Sequence, residues 1–276
     1  MQRSRVSVVP ALTRASPSGL VGWENDRPMR RSALTARLER YLQLTDDERD
    51  ALDWAERREV RVPAGVVLME QGGQVDTLYV VQQGWLHSST NLHSGGRQIL
   101  RFHYPGDLIG TSSIAWNQAA NTLTAVSDCV VSELSKVNLG RIFKAQPRLA
   151  GLLYAMAAAE NVAMSDRLAS IGRTDAIERL ATLLLDILAR LRVTAGGVIE
   201  SFDLPLTQKD IGDAVGLTKV HVNRTLGEME RRGMIERSGR RIRIVNEAEL
   251  IAFTGFVDRY ATVATDWLPQ PTAMAA

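Results

Sequence analysis

Cysteine is nearly absent from this 276-residue sequence, in which Cys129 is the only one. An intrachain disulfide is therefore impossible, and a single chain cannot supply a four-cysteine zinc or iron–sulfur site. Aromatic residues make up 5%, and the net charge of +2 identifies no partner. The longest uncharged apolar run, Leu149 to Ala159, falls far short of the ~20 residues that cross a membrane. We therefore expect a protein of a reducing compartment that makes no membrane contact.

Charge is unevenly distributed along the chain. Residues 1–31 carry six basic and two acidic side chains, and residues 207–245 carry nine basic and five acidic ones. A basic block within an otherwise acidic chain indicates nucleic-acid binding, although a solvated charged face has the same composition. Residues 1–31 lack the ~7–15-residue apolar stretch of a secretory signal, so we expect a basic, disordered leader. A start of translation at Met29 is the alternative.

The periodicity of the apolar residues changes twice along the chain. Residues 33–56 predict two short amphipathic helices, the second opened by a capping box of Thr45 and Glu48. From Glu59 to Ser135, short apolar runs alternate with glycine turns, which predicts a β-sandwich or barrel. A helical period then returns, with a long helix expected from Arg148 to about Gly172.

Two short helices joined by a tight turn are predicted within residues 206–226. Thr207 opens the first helix, Gly212 allows close packing of the second, and Gly216 suits a left-handed turn. Thr218 caps the second helix, whose first turns would enter a major groove of DNA. An ordinary helix pair in an α-domain is the alternative.

The second helix and the segment after it carry the candidate DNA contacts. Arginine can pair with guanine and asparagine with adenine, whereas hydroxyls and helix N-termini suit phosphates. Beyond Gly233, apolar and basic residues alternate around Ser238 and Gly239, which predicts a basic hairpin, or wing. The predicted base contacts are Lys219, Val220, Asn223 and Arg224, and the predicted phosphate contacts are Thr207, Thr218, His221, Arg240, Arg241 and Arg243.

From about Leu34 to Leu250 the chain resembles the CRP/FNR family of bacterial transcription regulators. In the sensor part the resemblance is carried by the stretches 63–65, 78–80 and 105–110, and in the DNA part by residues 206–226. It implies an α+β fold with an N-terminal β-roll sensor (a double-stranded β-helix), a long dimerisation helix and a C-terminal winged helix–turn–helix. It also implies a cytoplasmic homodimer without enzymatic activity, which binds an inverted-repeat operator and acts with RNA polymerase.

The resemblance sets the expected domain bounds. Short helices and the β-roll occupy residues 32–147, the dimerisation helix occupies 148–172, and the DNA-binding domain occupies 173–263. A flexible tail is expected at 264–276. On the dimerisation helix, we expect contacts between protomers at Leu149, Leu153, Met156, Ala159 and Ala163, unless this segment only packs on its own β-roll.

The sensor departs from family members that bind cyclic AMP. Those members have Gly-Glu after the Pro-Gly-Asp turn and an Arg-Ser pair soon after, whereas here Thr111 follows Gly110. No Lys or Arg occurs between Arg101 and Lys136, so a buried phosphate would lack a cation in this segment. We expect either a different effector or a β-roll that is only a scaffold. The predicted effector pocket consists of Gly110, Thr111, Ser112, Asn121 and Thr122.

Three histidines in the sensor, His87, His93 and His103, leave two further alternatives open. One is a haem-binding sensor, and the other is a cupin-like metal enzyme fused to a helical domain. We expect neither and predict no metal or cofactor. Cys129 lies in a strand pattern, and we expect it to be a buried, inert thiol.

Overall fold

The computed structural model describes residues 31–93 and 95–269. All but the last residue of the expected basic leader, and residues 270–276 of the expected tail, lie outside these ranges. The described chain begins with two short helices, α1 (Ala33–Leu38) and α2 (Asp46–Ala55). The predicted capping box opens α2, because Glu48 accepts a hydrogen bond from the Thr45 N–H while the Thr45 hydroxyl accepts one from the Glu48 N–H.

Eight strands then form the expected β-roll from two antiparallel sheets. The strand order is β1-β8-β3-β6 in one sheet and β2-β7-β4-β5 in the other, with a single 3₁₀ turn at Thr111–Ile114 after β6. The strands are β1 (Glu56–Val62), β2 (Val67–Met69), β3 (Thr77–Gln83), β4 (Leu86–Asn91), β5 (Arg97–His103), β6 (Leu108–Ile109), β7 (Thr122–Ala125) and β8 (Cys129–Ser135). Buried apolar side chains from both sheets, among them Met69, Ile109 and Leu123, form the core of the roll.

Helix α3 (Lys136–Ala145) leads into α4 (Pro147–Arg173), which extends the predicted long helix by one residue at each end. The most apolar stripe of α4 packs on its own chain. Leu149 is fully buried and Met156 nearly so, in a core shared with α1 and α2. Further along, Ala163 packs against buried residues of α5 (Ala176–Ala195).

The predicted dimer contacts are therefore wrong for Leu149 and Met156, which are buried in their own chain, whereas the contact at Ala163, which is half-buried, stays a prediction. Leu153 and Ala159 are half-buried on the flanks of the same stripe. The alternative, in which this segment packs on its own chain, describes the buried part of the α4 stripe correctly. An apolar helical stripe predicts burial, but it does not say whether the chain itself or a second copy covers the stripe.

The C-terminal domain has the predicted winged helix–turn–helix. It contains α6 (Gln208–Val215), α7 (Lys219–Arg231), the wing strands β10 (Ile235–Ser238) and β11 (Arg241–Ile244), and α8 (Glu247–Thr254). A short strand, β9 (Ser201–Asp203), pairs with β11 and was not expected from the sequence. Gly216 ends α6 at φ +71°, and a Cβ on Gly212 would lie 2.4 Å from the Leu217 carbonyl oxygen. Gly216 thus has its predicted role, whereas the close approach at Gly212 is to the turn residue Leu217 just before α7 rather than to the second helix itself.

The chain after α8 returns to the N-terminal half. The Tyr41 hydroxyl donates to the Tyr260 carbonyl over 2.7 Å, and Leu268 is buried in the core that contains α1 and the first part of α4. Leu268 packs so closely on Gly151 that a Cβ there would lie 2.4 Å away. The expectation of a flexible tail is therefore wrong for residues 264–269, because this apolar side chain has a buried site on α4.

No helix among residues 31–93 and 95–269 has the length and apolar character needed to cross a membrane.

Candidate DNA-binding surface and sensor domain

Helix α7 presents the four predicted base-contacting side chains to solvent. Lys219, Asn223 and Arg224 are exposed, and Val220 is 79% exposed. The opposite face packs into the domain core through Val222, Leu226 and Met229. Because the buried side anchors the helix, the exposed side is oriented rigidly, as a reading surface for base edges requires.

One neighbour of this surface was not identified from the sequence. Gln208, at the start of α6, donates through Nε2 to the Asn223 Oδ1 over 3.0 Å. This contact holds the Asn223 amide and places a second amide beside the candidate base contacts. The position of Gln208, next to Thr207 at a helix N-terminus, was the available sequence signal.

The predicted phosphate-contacting hydroxyls cap the two helices. The Thr207 hydroxyl accepts from the Asp210 N–H over 3.1 Å, and the Thr218 hydroxyl accepts from the His221 N–H over 3.2 Å. Both threonines remain exposed, whereas His221 is half-buried. Two helix N-termini with exposed caps therefore lie on the same small domain, and each is a favourable position for a phosphate oxygen.

The wing has the predicted alternation, with Ile242 and Ile244 buried and the arginines exposed. The arginines have partners that the sequence did not reveal. Arg241 donates to the Ser201 hydroxyl, and Arg243 forms a two-pronged ion pair with Glu236, with both N···O distances 2.8 Å. A phosphate contact by Arg243 would therefore require it to release or share this carboxylate.

The structure does not assemble the five residues of the predicted effector pocket. Thr111 and Ser112 line a groove beside α4, next to Gly110 at φ +81°. Asn121 lies just before β7, and Thr122 is the first residue of that strand in the opposite sheet, where its hydroxyl accepts from the Gln71 N–H. A single pocket formed by these five residues is therefore not supported, and apolar side chains occupy the interior of the roll.

Lys136, the first cation after the segment that lacks Lys and Arg, is also engaged. It donates through Nζ to the Ser113 carbonyl over 2.6 Å, so it holds the 3₁₀ turn to the start of α3. Its ammonium group thus satisfies a backbone oxygen rather than an open site.

A buried ion network joins the two domains and was missed in the sequence. Asp107 is 1% exposed and accepts hydrogen bonds from the guanidiniums of Arg37 in α1 and Arg190 in α5. Burial alone would raise the pKa of Asp107, but these two cations hold it well below its usual range. Beside it, Arg101 of β5 pairs with Glu160 of α4 at 2.6 Å.

A second ion contact links the β-roll directly to the helix–turn–helix. Arg97 of β5 lies 2.6 Å from the Asp210 carboxylate and 2.7 Å from the Asp213 carboxylate, both on α6. Its guanidinium also lies 3.3 Å from the His87 Nε2. The sensor strand and the first DNA-binding helix are therefore joined by charged hydrogen bonds.

The sensor histidines do not form a metal site. Burial and the nearby Arg97 lower the pKa of His87 to about 4, and burial and Arg101 lower that of His103 to about 3. His93 is exposed on the β4–β5 hairpin. Within residues 31–93 and 95–269, no group of three or more His, Cys, Asp or Glu side chains has the arrangement of a metal site.

Cys129 has the expected buried position. Its Sγ lies 3.1 Å from the carbonyl oxygens of Trp85 and Ser127. Burial raises the pKa of this thiol, which disfavours the reactive thiolate.

Comparison with known proteins places this architecture in a family. Residues 59–146 match the cyclic nucleotide-binding domain, and residues 178–253 match the Crp-like helix-turn-helix domain. The chain is 30% identical to the FixK2 protein of Bradyrhizobium japonicum, whose solved structure aligns over 71% of this chain and 96% of that chain with a TM-score of 0.64.

Two curated relatives align over 212 residues, which is 77% of this chain. The anaerobic regulatory protein of Aggregatibacter actinomycetemcomitans is 29% identical, with 82% of its length covered. The fumarate and nitrate reduction regulatory protein of Escherichia coli (strain K12) is 28% identical, with 84% covered. The chain belongs to the CRP/FNR family of transcription regulators.

This membership confirms the fold class and the assignment to regulators rather than enzymes. The cupin-like metal enzyme is not supported. The match to a cyclic nucleotide-binding domain establishes the β-roll fold and leaves the effector unidentified.

Proposed function

We propose that the protein is a homodimeric, sequence-specific regulator that inserts α7 of each protomer into successive major grooves of an inverted-repeat operator. The observation that carries the proposal is the exposed face of α7, where a lysine, an asparagine and an arginine surround Val220 on a rigidly packed helix. Arginine and asparagine supply bidentate readout of guanine and adenine, and the valine methyls can contact thymine.

The wing and the helix caps supply the contacts that position the protein on the DNA. Arg240, Arg241 and Arg243 on the wing, with Thr207, Thr218 and His221 near the helix N-termini, contact phosphates in this proposal. Such contacts add affinity for any sequence and make binding depend on salt. Because the target is chromosomal DNA, the proposal includes a cytoplasmic location and contact with RNA polymerase at promoters.

A different stripe of α4 supports dimer formation. Five exposed residues follow one another at steps of four and three: Tyr154, Ala158, Asn161, Ser165 and Leu168. Tyr154 and Leu168 are each 74% exposed, although both are large and apolar. This spacing is a heptad seam, and the central Asn161 is the kind of polar residue that sets the register of two paired helices.

The groove beside this seam has an apolar wall that a second α4 can cover. Ile114 and Trp116 near the 3₁₀ turn and Phe143 of α3 border it and are all partly exposed. A second copy of α4 would bury these side chains together with Leu168, and that burial would stabilise the dimer.

The packed interior of the roll argues against cyclic AMP as the effector. Thr111 stands where the family members that bind cyclic AMP have the acidic residue that holds the ribose, and Lys136 donates to a backbone carbonyl. The same packing supports the second candidate, in which the roll is a scaffold and does not bind an effector in its interior.

Sequencing the DNA that co-precipitates with the protein from cells tests the proposal. We expect an enriched inverted repeat whose half-sites lie about one helical turn, ~34–36 Å, apart. On that operator, Arg224→Ala should cost ~1–3 kcal/mol and relax the preference at one position per half-site. Arg231→Ala, at the far end of α7, is the matched control. An Arg224→Ala protein with unchanged affinity and preference would refute the assignment of this helix face.

A further inference from the structure

A cavity of about 390 Å³ lies between the two domains. Its walls come from the second half of α4, the first half of α5, the end of α6 and the segment after α8. The volume is within the usual range of ~300–1,000 Å³ for small-molecule sites. It contains none of the five residues of the predicted effector pocket and none of the exposed heptad seam on α4.

The cavity combines an apolar wall with a charged one. Ala163, Leu183, Val215 and Phe256 supply much of the apolar wall. The acids Glu160 and Asp166 in the lining are already neutralised, because Arg101 pairs with Glu160 at 2.6 Å and Arg259 pairs with Asp166 at 2.7 Å. Their negative charge is therefore not available to a ligand.

Three further guanidiniums in the lining, those of Arg167, Arg173 and Arg179, form no ion pair within the residues that the structure describes. Arg167 donates through Nη2 to the carbonyl oxygens of Ile99 and Ala214, at 3.2 and 3.0 Å. Arg179 donates through Nε to the Thr174 carbonyl over 2.9 Å. Within residues 31–93 and 95–269, neither Arg167 nor Arg179 forms an ion pair within 4 Å, so neither guanidinium is held by a carboxylate in direct contact.

Asp186 is the remaining acid of the lining. Burial raises its pKa, whereas the nearby guanidiniums of Arg167 and Arg190 favour its charged form. The lining contains five arginines and three acids, so the cavity combines an excess of positive charge with apolar surface.

We propose that this cavity binds a small amphipathic organic anion, with its acidic group on Arg167 and Arg179 and its apolar body against Leu183 and Phe256. The ligand would contact α4 and α5 on both sides of their junction at Thr174, as well as Ala214 and Val215 at the end of α6. It would therefore bridge the dimerisation helix and the helix–turn–helix. The role of this ligand as the effector rests on the proposed function, whereas its binding to the cavity does not.

Titration of the purified full-length protein with 1-anilinonaphthalene-8-sulfonate, in the absence of DNA, tests the site. This probe is an aromatic anion, and N-phenyl-1-naphthylamine is the same aromatic body without the sulfonate. Arg167→Gln should weaken sulfonate binding roughly 10- to 100-fold, as expected for a lost charged hydrogen bond, and leave binding of the neutral probe unchanged. Arg57→Gln is the matched control. Arg57 stacks on Trp54, lies far from Arg167 in the sequence and does not line the cavity.

Three further variants decide the remaining outcomes. Ala163→Phe should fill the cavity and abolish binding of both probes, and Asp186→Asn should keep or tighten sulfonate binding. If circular dichroism shows that Arg167→Gln does not fold, Arg179→Gln replaces it, and the same selective loss of sulfonate binding is expected. Unchanged sulfonate affinity in the arginine variant, equal losses for both probes, undiminished binding in Ala163→Phe, or weaker binding in Asp186→Asn would each overturn the proposal. Operator binding, measured separately, tests the proposed function: its loss with sulfonate binding intact would count against that function alone.

Discussion

The helix–turn–helix and the junction between the two domains are held together by contacts of very different range. In the helix–turn–helix, each cap joins residues three positions apart, as Thr207 does with Asp210. At the junction, Asp107 is bound by Arg37 and Arg190, which lie 70 and 83 residues away in the chain. The DNA-reading surface thus depends mostly on local contacts, whereas its position relative to the sensor depends on a few distant charged ones.

This difference indicates where in the molecule a signal can act. A change at the junction can move the whole DNA-binding domain without altering the fold of α6 and α7. A change on α7 alters the reading of DNA and leaves the junction intact. Substitutions can therefore separate the two regions.

The largest expected effect is the removal of the buried acid at the junction. Asp107→Ala should lower the free energy of unfolding by ~3–5 kcal/mol, because it leaves the guanidiniums of Arg37 and Arg190 buried without a counter-charge. Urea unfolding measures the loss. Glu236→Ala, which breaks an exposed ion pair on the wing, is the control and should change stability little. Equal effects of the two substitutions would contradict the comparison of the two regions.

The next effect concerns acid pH and the two buried sensor histidines. Their pKa values of about 4 and about 3 lie below the unfolded value near 6.5, so the unfolded state binds protons first. Stability is therefore complete above pH ~6.5 and falls as the pH drops toward 4, by up to ~1.4 kcal/mol per pH unit for each histidine.

Unfolding of His87→Gln between pH 7 and 4.5 checks this slope, which should be shallower than in the parent protein. His93→Gln controls for the loss of a histidine as such. A parent profile that is flat over this range would show that neither buried histidine contributes.

A smaller effect is expected at the exposed seam of α4. Leu168→Glu should weaken dimerisation ~10- to 100-fold, because each protomer would lose a buried leucine and gain a charge at the seam. Sedimentation over a range of concentrations measures the shift. Leu92→Glu, at a half-exposed leucine on the β4–β5 hairpin, is the matched control. If both variants dimerise like the parent, the proposed seam is incorrect.

The smallest effect is expected on the wing. Arg243→Ala should flatten the slope of log affinity against log salt by about one unit per lost phosphate contact, equally for all DNA sequences. Glu236→Gln should have the opposite effect on affinity, since it releases Arg243 from its ion pair. Weaker DNA binding by Glu236→Gln would show that the pair positions the arginine for DNA rather than competing with it.

The features that could be predicted are those determined by neighbouring residues. The capping box of Thr207 and Asp210, the left-handed Gly216 and the close approach at Gly212 all depend on residues within a few positions. The wing could also be predicted, because the alternation of Ile242 and Ile244 with arginines has the two-residue period of a strand.

The incorrect predictions share a cause. The dimer contacts at Leu149 and Met156, the five-residue effector pocket and the flexible tail at 264–269 each required knowledge of what packs against a given face. Leu149 looks like an interface residue until α1 and α2 cover it, and Leu268 looks like part of a loose tail until it meets Gly151.

By itself, the sequence determined the order of the domains, the helix–turn–helix with its exposed Lys219, Asn223 and Arg224, and the absence of a local cation for a cyclic phosphate. Only the tertiary structure decided which stripe of α4 remains free, that Asp107 joins two domains, and that Arg167 and Arg179 line a cavity without carboxylate partners. The physical reason is that hydrogen-bond caps and helical periods are short-range, whereas burial and charge compensation depend on groups that the folded chain brings together from distant positions.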